Sequence, residues 1–485
     1  MANKSLLLKL FIVTFYFYIE LTAQDFNDAL RLTEPGILSD ARALSMGNAY
    51  TALSNDFSAA FFNPAGFGLI NRSQLSASFN YNSFGNTTTF FNKINDATNN
   101  ASKFTQFGVV LPFPTYRGSL VFALGYNLEK DFNSIVKFDG YNSANNSMIQ
   151  DLTSYNEDIM YYLGLSYPLK DKLGNYIKDT TLIHGGLNQS GSIIQRGNIN
   201  SWSLSGAIEV EKNVFLGATI DIVGGNLERN RKYWEDDIYN LYPSSLRLDP
   251  NDPATADFQS FYLNDIISWD ISGWDAKVGF LIKPIDQLNI GGTVKFPRRY
   301  TIKETYYETA TSSFGSSAGF QYNPDNNYLE YEISTPYEFS FGAAINTNVL
   351  VLSGDVRFID YSQMEFKSGL GGSQISSNNF DIKNLFRNTT NFSAGLEYTL
   401  PFNGLAVRAG LIYRPSPFKG DPSEYDKKYI TAGFGYTMQN RITINFAYAH
   451  GWWKDFGDNY SSGVSRFEQD ISRDNISFTF TYNFR

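Results

Sequence analysis

The sequence predicts an all-β protein, a transmembrane antiparallel β-barrel of about fourteen strands plugged by its own N-terminal segment. Three observations predict this fold. Segments of about ten residues alternate apolar and polar side chains along the chain, as strands with one lipid face do. Short and long connections alternate between these segments. In the last segment, Ile476, Phe478 and Phe480 share one face while Ser477 and Thr479 share the other.

The composition fits a barrel and excludes several other classes of protein. A mean hydropathy of -0.27 with 16% aromatic residues suits a polar lumen behind an aromatic lipid face. The net charge of -9 argues against a nucleic-acid partner, which needs a basic surface. The chain has no cysteine and only 2 histidines, so we expect no disulfide, no metal site and no cofactor.

The N-terminus predicts export. Lys4 precedes an apolar run that ends near Leu21, and Ala23 provides a small residue for cleavage. A single membrane anchor is the alternative, but Glu20 and the modest apolar length count against a spanning helix. We therefore predict a signal peptide at 1–23, an N-terminal hatch at 24–70 and the barrel at 71–485.

The alternating segments give the strand order. An even number of crossings is expected if both ends of the mature chain face the periplasm, so one of fifteen candidates, 158–168, is discarded because its surroundings are irregular. The remaining predicted strands lie near 71–84, 105–113, 117–131, 201–212, 214–229, 270–283, 287–305, 328–345, 348–366, 389–400, 404–414, 426–438, 441–452 and 474–485.

The predicted connections alternate in length, as periplasmic turns and extracellular loops do. The short ones carry turn residues, as in Gln439-Asn440. The short connections are 114–116, 213, 284–286, 346–347, 401–403 and 439–440, and the long ones are 85–104, 132–200, 230–269, 306–327, 367–388, 415–425 and 453–473.

The period of two places charged side chains in the lumen. A charge on the lipid face at mid-membrane is costly, so inward placement is expected. Because both signs occur, the pattern predicts a filled lumen and not a single-sign ion pore. The residues predicted to face inward are Glu209, Asp221, Lys277, Lys295, Asp355, Arg357, Glu397, Arg408 and Arg414.

The segment before the first strand resembles the hatch of the FadL family of outer-membrane transporters of hydrophobic compounds. The resemblance lies in the stretch 40–52, which contains Arg42 and Gly47, and in the tripeptide Asn63-Pro64-Ala65. Barrel stretches such as 407–451 also resemble that family. On residues alone, Asn63-Pro64 could be an ordinary turn; within this pattern we expect it to join the plug to the wall and take part in gating.

The resemblance implies a monomeric, multi-pass channel in the Gram-negative outer membrane. It would take up long-chain fatty acids or other hydrophobic compounds passively, capture them with extracellular loops and release them laterally into membrane lipid at a kinked third strand, here 117–131. A different reading on the same barrel is a surface-protein shuttle or attachment component of a secretion system. An enzyme is a distant third reading, because His450 lacks a nucleophile context.

Two groups of residues are candidates for ligand binding. The inward cations Lys277, Lys295, Arg357 and Arg408 could bind a ligand carboxylate, although inward carboxylates could equally pair with them in a structural network. Trp234 and Tyr239, in the loop 230–269, could form an apolar capture site, although loop aromatics often pack against their own loop.

Overall fold

A computed structural model describes residues 24–484 except 38–39, 154–157, 348, 402–403 and 461–462. The predicted signal peptide 1–23 and part of the predicted turn 401–403 lie outside the described residues. Within them, no helix is both long and apolar enough to cross a membrane.

The described residues form one large antiparallel sheet and a separate hairpin. The hairpin consists of β5 and β6 and lies outside the barrel. The strands are β1 Ser73–Phe90, β2 Lys93–Phe113, β3 Leu120–Asp131, β4 Ser134–Asn142, β5 Tyr167–Lys170, β6 Tyr176–Thr180, β7 Leu187–Glu211, β8 Val214–Asp236, β9 Phe258–Ile285, β10 Leu288–Lys295, β11 Arg299–Phe314, β12 Ser317–Tyr322, β13 Asn327–Ser334, β14 Glu338–Asn346, β15 Leu350–Asp360, β16 Glu365–Ser368, β17 Asn388–Thr399, β18 Leu405–Arg414, β19 Lys427–Met438, β20 Ile442–Asp458 and β21 Arg466–Phe484.

The large sheet closes into a barrel because β1 pairs with β21, from Ser73↔Phe484 upward. We use "stave" for one position in the barrel wall, filled by one strand or by two consecutive strands. The fourteen staves run in the order β1, β2, β3 with β4, β7, β8, β9, β10 with β11, β13 with β14, β15 with β16, β17, β18, β19, β20 and β21. The predicted number of crossings is confirmed.

Each stave corresponds to one predicted segment, and the discarded segment 158–168 lies outside the wall. Several staves predicted as continuous are broken. Pro297 separates β10 from β11, and Pro336 separates β13 from β14. Proline lacks the N–H that a ladder needs, so the strands bend there.

The long connections were predicted too long. The segment 85–104 is almost entirely strand, since β1 and β2 pair up to Phe90↔Lys93 and leave a tight turn at Phe91 and Asn92. The same holds for much of 230–269, where β8 pairs with β9 up to Asp236↔Ser260. Above the bilayer the outer face of a strand meets water instead of lipid and need not be apolar, so the alternation that predicts strands fades there although the ladder continues.

Short helices and turns precede and interrupt the barrel. Helix α1 begins after Asp25, whose side chain accepts a hydrogen bond from the Asn27 N–H at 2.8 Å. Helix α2 and two 3-10 helices also precede the first strand, and the remaining described helices lie in the connections. The α-helices are α1 Phe26–Thr33, α2 Ala41–Ser45, α3 Met148–Leu152, α4 Ile159–Tyr162 and α5 Gly372–Leu385, and the 3-10 helices are Phe57–Ala60, Pro64–Leu69, Pro253–Thr255 and Tyr361–Gln363.

The N-terminal segment plugs the barrel. Most of its side chains between Asp40 and Ile70 are buried, and they contact inward-facing residues of nearly every stave. The opposite face of the wall carries the large exposed apolar side chains, such as Leu204, Ile222 and Leu411. This inside-out arrangement is that of a barrel surrounded by lipid.

Candidate functional site

The plug is joined to the wall through Asn63. The side-chain amide of Asn63 donates to the Phe280 carbonyl of β9 and to the Thr51 carbonyl within the plug, both at 2.9 Å. Its side-chain oxygen accepts from the Ala65 N–H at 3.1 Å, which starts the 3-10 helix at Pro64. The tripeptide is thus a turn and also a plug-to-wall contact.

Arg42 forms a second junction between plug and wall. Its guanidinium donates to both carboxylate oxygens of Glu397, at 3.0 and 3.1 Å, and to Asn55 at 2.7 Å. Arg408 donates to the same Glu397 at 2.6 Å and to Asn445 at 2.9 Å. Glu397 therefore lies between two arginines, one from the plug and one from the wall, and Arg408 is already paired within the wall.

A collar of glycines lets the plug approach the wall. Gly47 has φ 63 and lies so close to β17 and β18 that a Cβ would be 2.6 Å from the carbonyl oxygens of Ala394 and Leu411. Wall glycines accommodate the plug in the same way. Those on which a Cβ would fall within 3 Å of plug atoms are Gly108, Gly125, Gly217, Gly279, Gly291, Gly395, Gly410 and Gly433.

Charged side chains surround a small cavity above the plug. Arg298, 2% exposed, donates to both carboxylate oxygens of Glu129 at 2.7 and 2.9 Å and pairs closely with Asp275. The cavity has a volume of about 50 Å³, which is room for a few waters at most. It is also lined by three predicted ligand cations, Lys277, Lys295 and Arg357.

These three cations differ in how firmly they are already held. Lys277 donates to the Phe61 and Ala60 carbonyls of the plug. Lys295 lies 3.3 Å from Glu338 and 3.9 Å from Asp275, and Arg357 lies 3.7 Å from Glu338. Lys277 therefore fastens the plug, whereas Lys295 and Arg357 make looser ion pairs.

The upper lumen is apolar and is filled by α1. Phe26, Ala29, Leu30 and Leu32 of α1 pack into one cluster with the lumen wall. The other buried members of this cluster come from the wall and from the segment around α5, and they are Phe132, Ile199, Val223, Leu227, Ile267, Trp269, Ile271, Tyr300, Ile302, Tyr331, Ile333, Ile359, Tyr361, Met364, Phe366, Ile382 and Phe386. The arrangement is a hydrophobic chamber occupied by the protein's own helix.

Extracellular connections form a second apolar layer over the barrel mouth. At its centre the fully buried Glu235 carboxylate accepts hydrogen bonds from the Met148 N–H at 2.7 Å, Gln189 at 2.9 Å and Tyr233 at 2.9 Å. Glu235 lies far beyond the membrane-spanning part of β8. Burial raises the pKa of this carboxyl to about 7, although the hydrogen bonds oppose the shift.

The two predicted capture residues have different aromatic partners in this extracellular layer. Trp234 packs on Tyr262, with ring centroids 4.7 Å apart. Tyr239 contacts Tyr141 edge-on at 4.8 Å and is 62% exposed. Trp234 lies on the face of β8 opposite to Tyr233, whose ring is buried.

Sequence reasoning missed several residues that organise the lumen. Arg298 follows Pro297, which breaks the strand. Beyond such a break, the alternation of side chains no longer predicts which residues face the lumen. Lys130 donates to the Arg31 and Glu34 carbonyls at 2.6 and 2.9 Å, so it fastens the end of α1 to the third stave. The alternation of side chains along β3 could have identified Glu129 as an inward-facing residue. Nothing in the sequence identifies Arg298 as its partner.

Together these features define a plugged outer-membrane β-barrel with an apolar chamber, which is a transport architecture and not an enzyme site. Residues 188–485 match the family described as "Outer membrane protein transport protein (OMPP1/FadL/TodX)". The chain belongs to this family. It is therefore an outer-membrane, multi-pass channel of the FadL/TodX type, a type that takes up hydrophobic compounds.

Solved structures share the fold at low sequence identity. The P. putida toluene transporter TodX aligns with a TM-score of 0.57 at 15% identity, covering 92% of this chain and 99% of that one. A Pseudomonas aeruginosa FadL homologue aligns with a TM-score of 0.58 at 15% identity, covering 93% and 99%. The Ralstonia pickettii toluene transporter TbuX aligns at 0.51 and 14% identity, covering 92% and 98%. A search of curated proteins finds no match.

Proposed function

We propose that this channel takes up long-chain fatty acids or similar hydrophobic compounds passively, as a monomer, and releases them laterally into the outer membrane. The observation that carries the proposal is the continuity of the apolar chamber with an interruption in the wall. The chamber includes Phe132 of the third stave and Ile199 of the adjacent β7. At that stave the ladder between β2 and β3 ends at Gln106↔Asn127.

The physical chemistry supports lateral release. A long acyl chain gains free energy when it leaves water for an apolar surface, and passage through the wall avoids returning it to water. The interruption begins level with Tyr126 and Trp202, whose rings lie 5.9 Å apart at the upper edge of the apolar outer face. Ligand leaving there enters lipid directly.

We infer the residues that contact the ligand from two properties. These are the position of side chains in the extracellular layer and the looseness of the ion pairs in the lumen. We propose that Tyr239 and Trp234 belong to the surfaces that first meet the ligand, because they lie in the extracellular layer. Lys295 and Arg357 are the proposed partners of a carboxylate head group, because their ion pairs are the looser ones. The residues proposed to hold the hatch against the wall and to take part in gating are Arg42, Gly47, Asn63, Pro64 and Ala65.

The chamber does not hold a ligand as it stands. Helix α1 fills it, and the charged cavity of about 50 Å³ cannot contain a long acyl chain. Entry of the ligand therefore requires α1 to shift. The apolar chamber and the wall interruption favour this transport role over a surface-protein shuttle, which needs neither.

Binding of a matched acid and alcohol tests the proposal. Labelled long-chain fatty acid should bind the purified, detergent-exchanged protein saturably. Lys295→Met with Arg357→Met should weaken binding of the acid by about tenfold, since a charge-assisted hydrogen bond contributes about 1.5 kcal/mol or more. The same variant should bind the long-chain alcohol unchanged.

Lys303→Met provides the matched control, because Lys303 is exposed on the outer face of β11. It should bind both ligands like the unaltered protein. A protein that binds neither ligand but retains a secreted protein partner would replace the proposal with the shuttle.

A further inference from the structure

The third stave leaves its neighbour above Asn127. Strands β2 and β3 pair from Phe113↔Leu120 to Gln106↔Asn127 and no further. Above that level, the described residues of β2 pair with β1 alone, and β3 and β4 pair with β7 alone. The wall is thus interrupted along the length of one strand.

Strand β4 lies behind the interruption, on the lumen side of β1 and β2. Phe84 of β1 and Ala97 of β2 are inward-facing and pack with Ile135 of β4 in one buried cluster. The inward Asn86 donates from its side-chain amide to the Ile135 carbonyl at 2.9 Å. The two wall segments therefore overlap, with β4 as the inner layer.

Side chains take the place of the missing ladder. The Asn99 amide donates to the Ser134 carbonyl at 3.2 Å, and the Asn133 amide donates to the Asn99 carbonyl at 2.9 Å. Asn95 donates to the Asp139 carbonyl at 3.3 Å. Asn86, Asn95 and Asn99 thus bind backbone oxygens of the third stave, and Asn133 of the third stave binds a backbone oxygen of β2.

A bond from a side-chain amide differs from a ladder bond in one decisive respect. A ladder bond breaks only when the backbone of the strand moves, whereas an amide side chain rotates away and finds water or a neighbouring group. The overlap can therefore separate while β1, β2, β4 and β7 all keep their own ladders.

We propose that the overlap is a gate closed by Asn86, Asn95, Asn99 and Asn133, so that the wall opening of this protein is switched and not permanent. The inference rests on the proposed function, because it concerns lateral release of the same ligand. These asparagines are positioning residues and need no contact with the ligand.

The gate is also connected to the chamber. Lys130, at the bend of the third stave, donates to the Arg31 and Glu34 carbonyls at the end of α1. A ligand that displaces α1 from the chamber breaks these bonds and frees the bend. Chamber occupancy and gate opening are thereby coupled through one side chain.

A reversible cross-link across the overlap tests the gate. Lys93 of β2 and Asp139 of β4 form an ion pair at the top of the overlap, half exposed, and the chain has no native cysteine. The pair Lys93→Cys and Asp139→Cys can be joined with a cleavable bis-maleimide. The cross-linked protein should still bind labelled long-chain fatty acid but fail to deliver it to cells, and cleavage of the linker should restore delivery.

A second variant tests the asparagines without any linker. Asn86→Ala with Asn99→Ala should speed delivery while ligand affinity stays unchanged. Asn100→Ala is the matched control, because Asn100 is exposed on the outer face of the same strand. It should deliver ligand at the unaltered rate.

The outcomes separate the gate from the proposed function. Equal delivery before and after cross-linking, in a protein that binds and delivers the ligand, would overturn the gate alone. Absence of both binding and delivery in the unaltered protein would overturn the proposed function, and the gate with it.

Discussion

Arg298 donates two parallel hydrogen bonds to the Glu129 carboxylate across the lumen, at 2.7 and 2.9 Å. The pair thereby joins the third stave to the break between β10 and β11. Both side chains are buried, at 2% and 9% exposure. The pair holds the bend of the third stave against the opposite side of the lumen. It lies just above Asn127, the point at which β3 leaves β2.

Loss of Arg298 should destabilise the barrel strongly. Arg298→Ala leaves Glu129 and Asp275 as buried carboxylates without their principal cation, which costs roughly 3–5 kcal/mol. Urea-induced unfolding in lipid vesicles should show this loss. The neighbouring Arg299→Ala, on the exposed outer face, should change the free energy of unfolding by less than about 0.5 kcal/mol.

The glycine collar predicts a leaky variant. Gly217→Ala places a methyl group 2.4 Å from the Ala65 nitrogen and the Pro64 carbonyl carbon, so the hatch must shift away from β8. We expect a loss of about 1–3 kcal/mol from overpacking. Cells that make this variant should become more sensitive to large hydrophilic antibiotics.

Gly224→Ala is the control on the same strand. A methyl group there meets its nearest atom, Asn200 Oδ1, at 3.8 Å. If cells that make Gly224→Ala were as sensitive to these antibiotics as cells that make Gly217→Ala, the close contact between Gly217 and the hatch would not be the cause of the leak.

We expect the side-chain amide of Asn63 to hold the plug in place as a hydrogen-bond donor, and not through the size of the side chain. Asn63→Asp keeps the shape but removes the amide that donates to the Phe280 and Thr51 carbonyls. Leaving these buried oxygens opposite a carboxylate should cost about 1–3 kcal/mol and loosen the plug. Faster cleavage of the plug by a protease added to the purified protein in detergent would report this; unchanged cleavage would contradict it.

Glu235 predicts a pH-dependent extracellular layer. Its pKa is raised to about 7 from an ordinary 4.5, so the folded layer binds more protons than the unfolded chain between these values. The contribution to stability is full below about pH 4.5 and is lost as the pH rises through 7, by an amount on the order of 3 kcal/mol.

Hydrogen exchange of the Met148 and Ile149 amides, followed against pH and corrected for intrinsic rates, measures this effect. Protection should fall as the pH rises from 4 to 8 in the native protein, a window that brackets the two pKa values. Glu235→Gln should abolish the pH dependence. A native profile that is flat across this window would contradict the assignment.

The alternation of side chains was sufficient to predict the number and order of the staves, because a lipid face imposes an apolar residue at every second position. The same rule placed Asp355, Glu397 and Arg408 in the lumen correctly. It could not predict the strand extensions above the membrane, where water accepts polar residues on both faces.

The contacts that organise the lumen were beyond sequence reasoning for a different reason. Glu129 and Arg298 are far apart in sequence, and pairing across a barrel depends on register and tilt, which the period of two does not specify. The predicted cations Lys277 and Arg408 were placed inward correctly, and the structure adds that Lys277 contacts the plug and that Arg408 pairs with Glu397 of the wall. Direct ligand contact by Lys277, Lys295, Arg357 and Arg408 stays a prediction.

The central claim is that a hydrophobic ligand passes from the apolar chamber through the third stave. Delivery of labelled long-chain fatty acid by cells that lack their own transporter of this family, with the Lys93→Cys/Asp139→Cys protein before and after cleavage of the linker, tests it most directly. The account predicts saturable delivery that stops on cross-linking and returns on cleavage. Delivery that continues unchanged with the overlap cross-linked would contradict it.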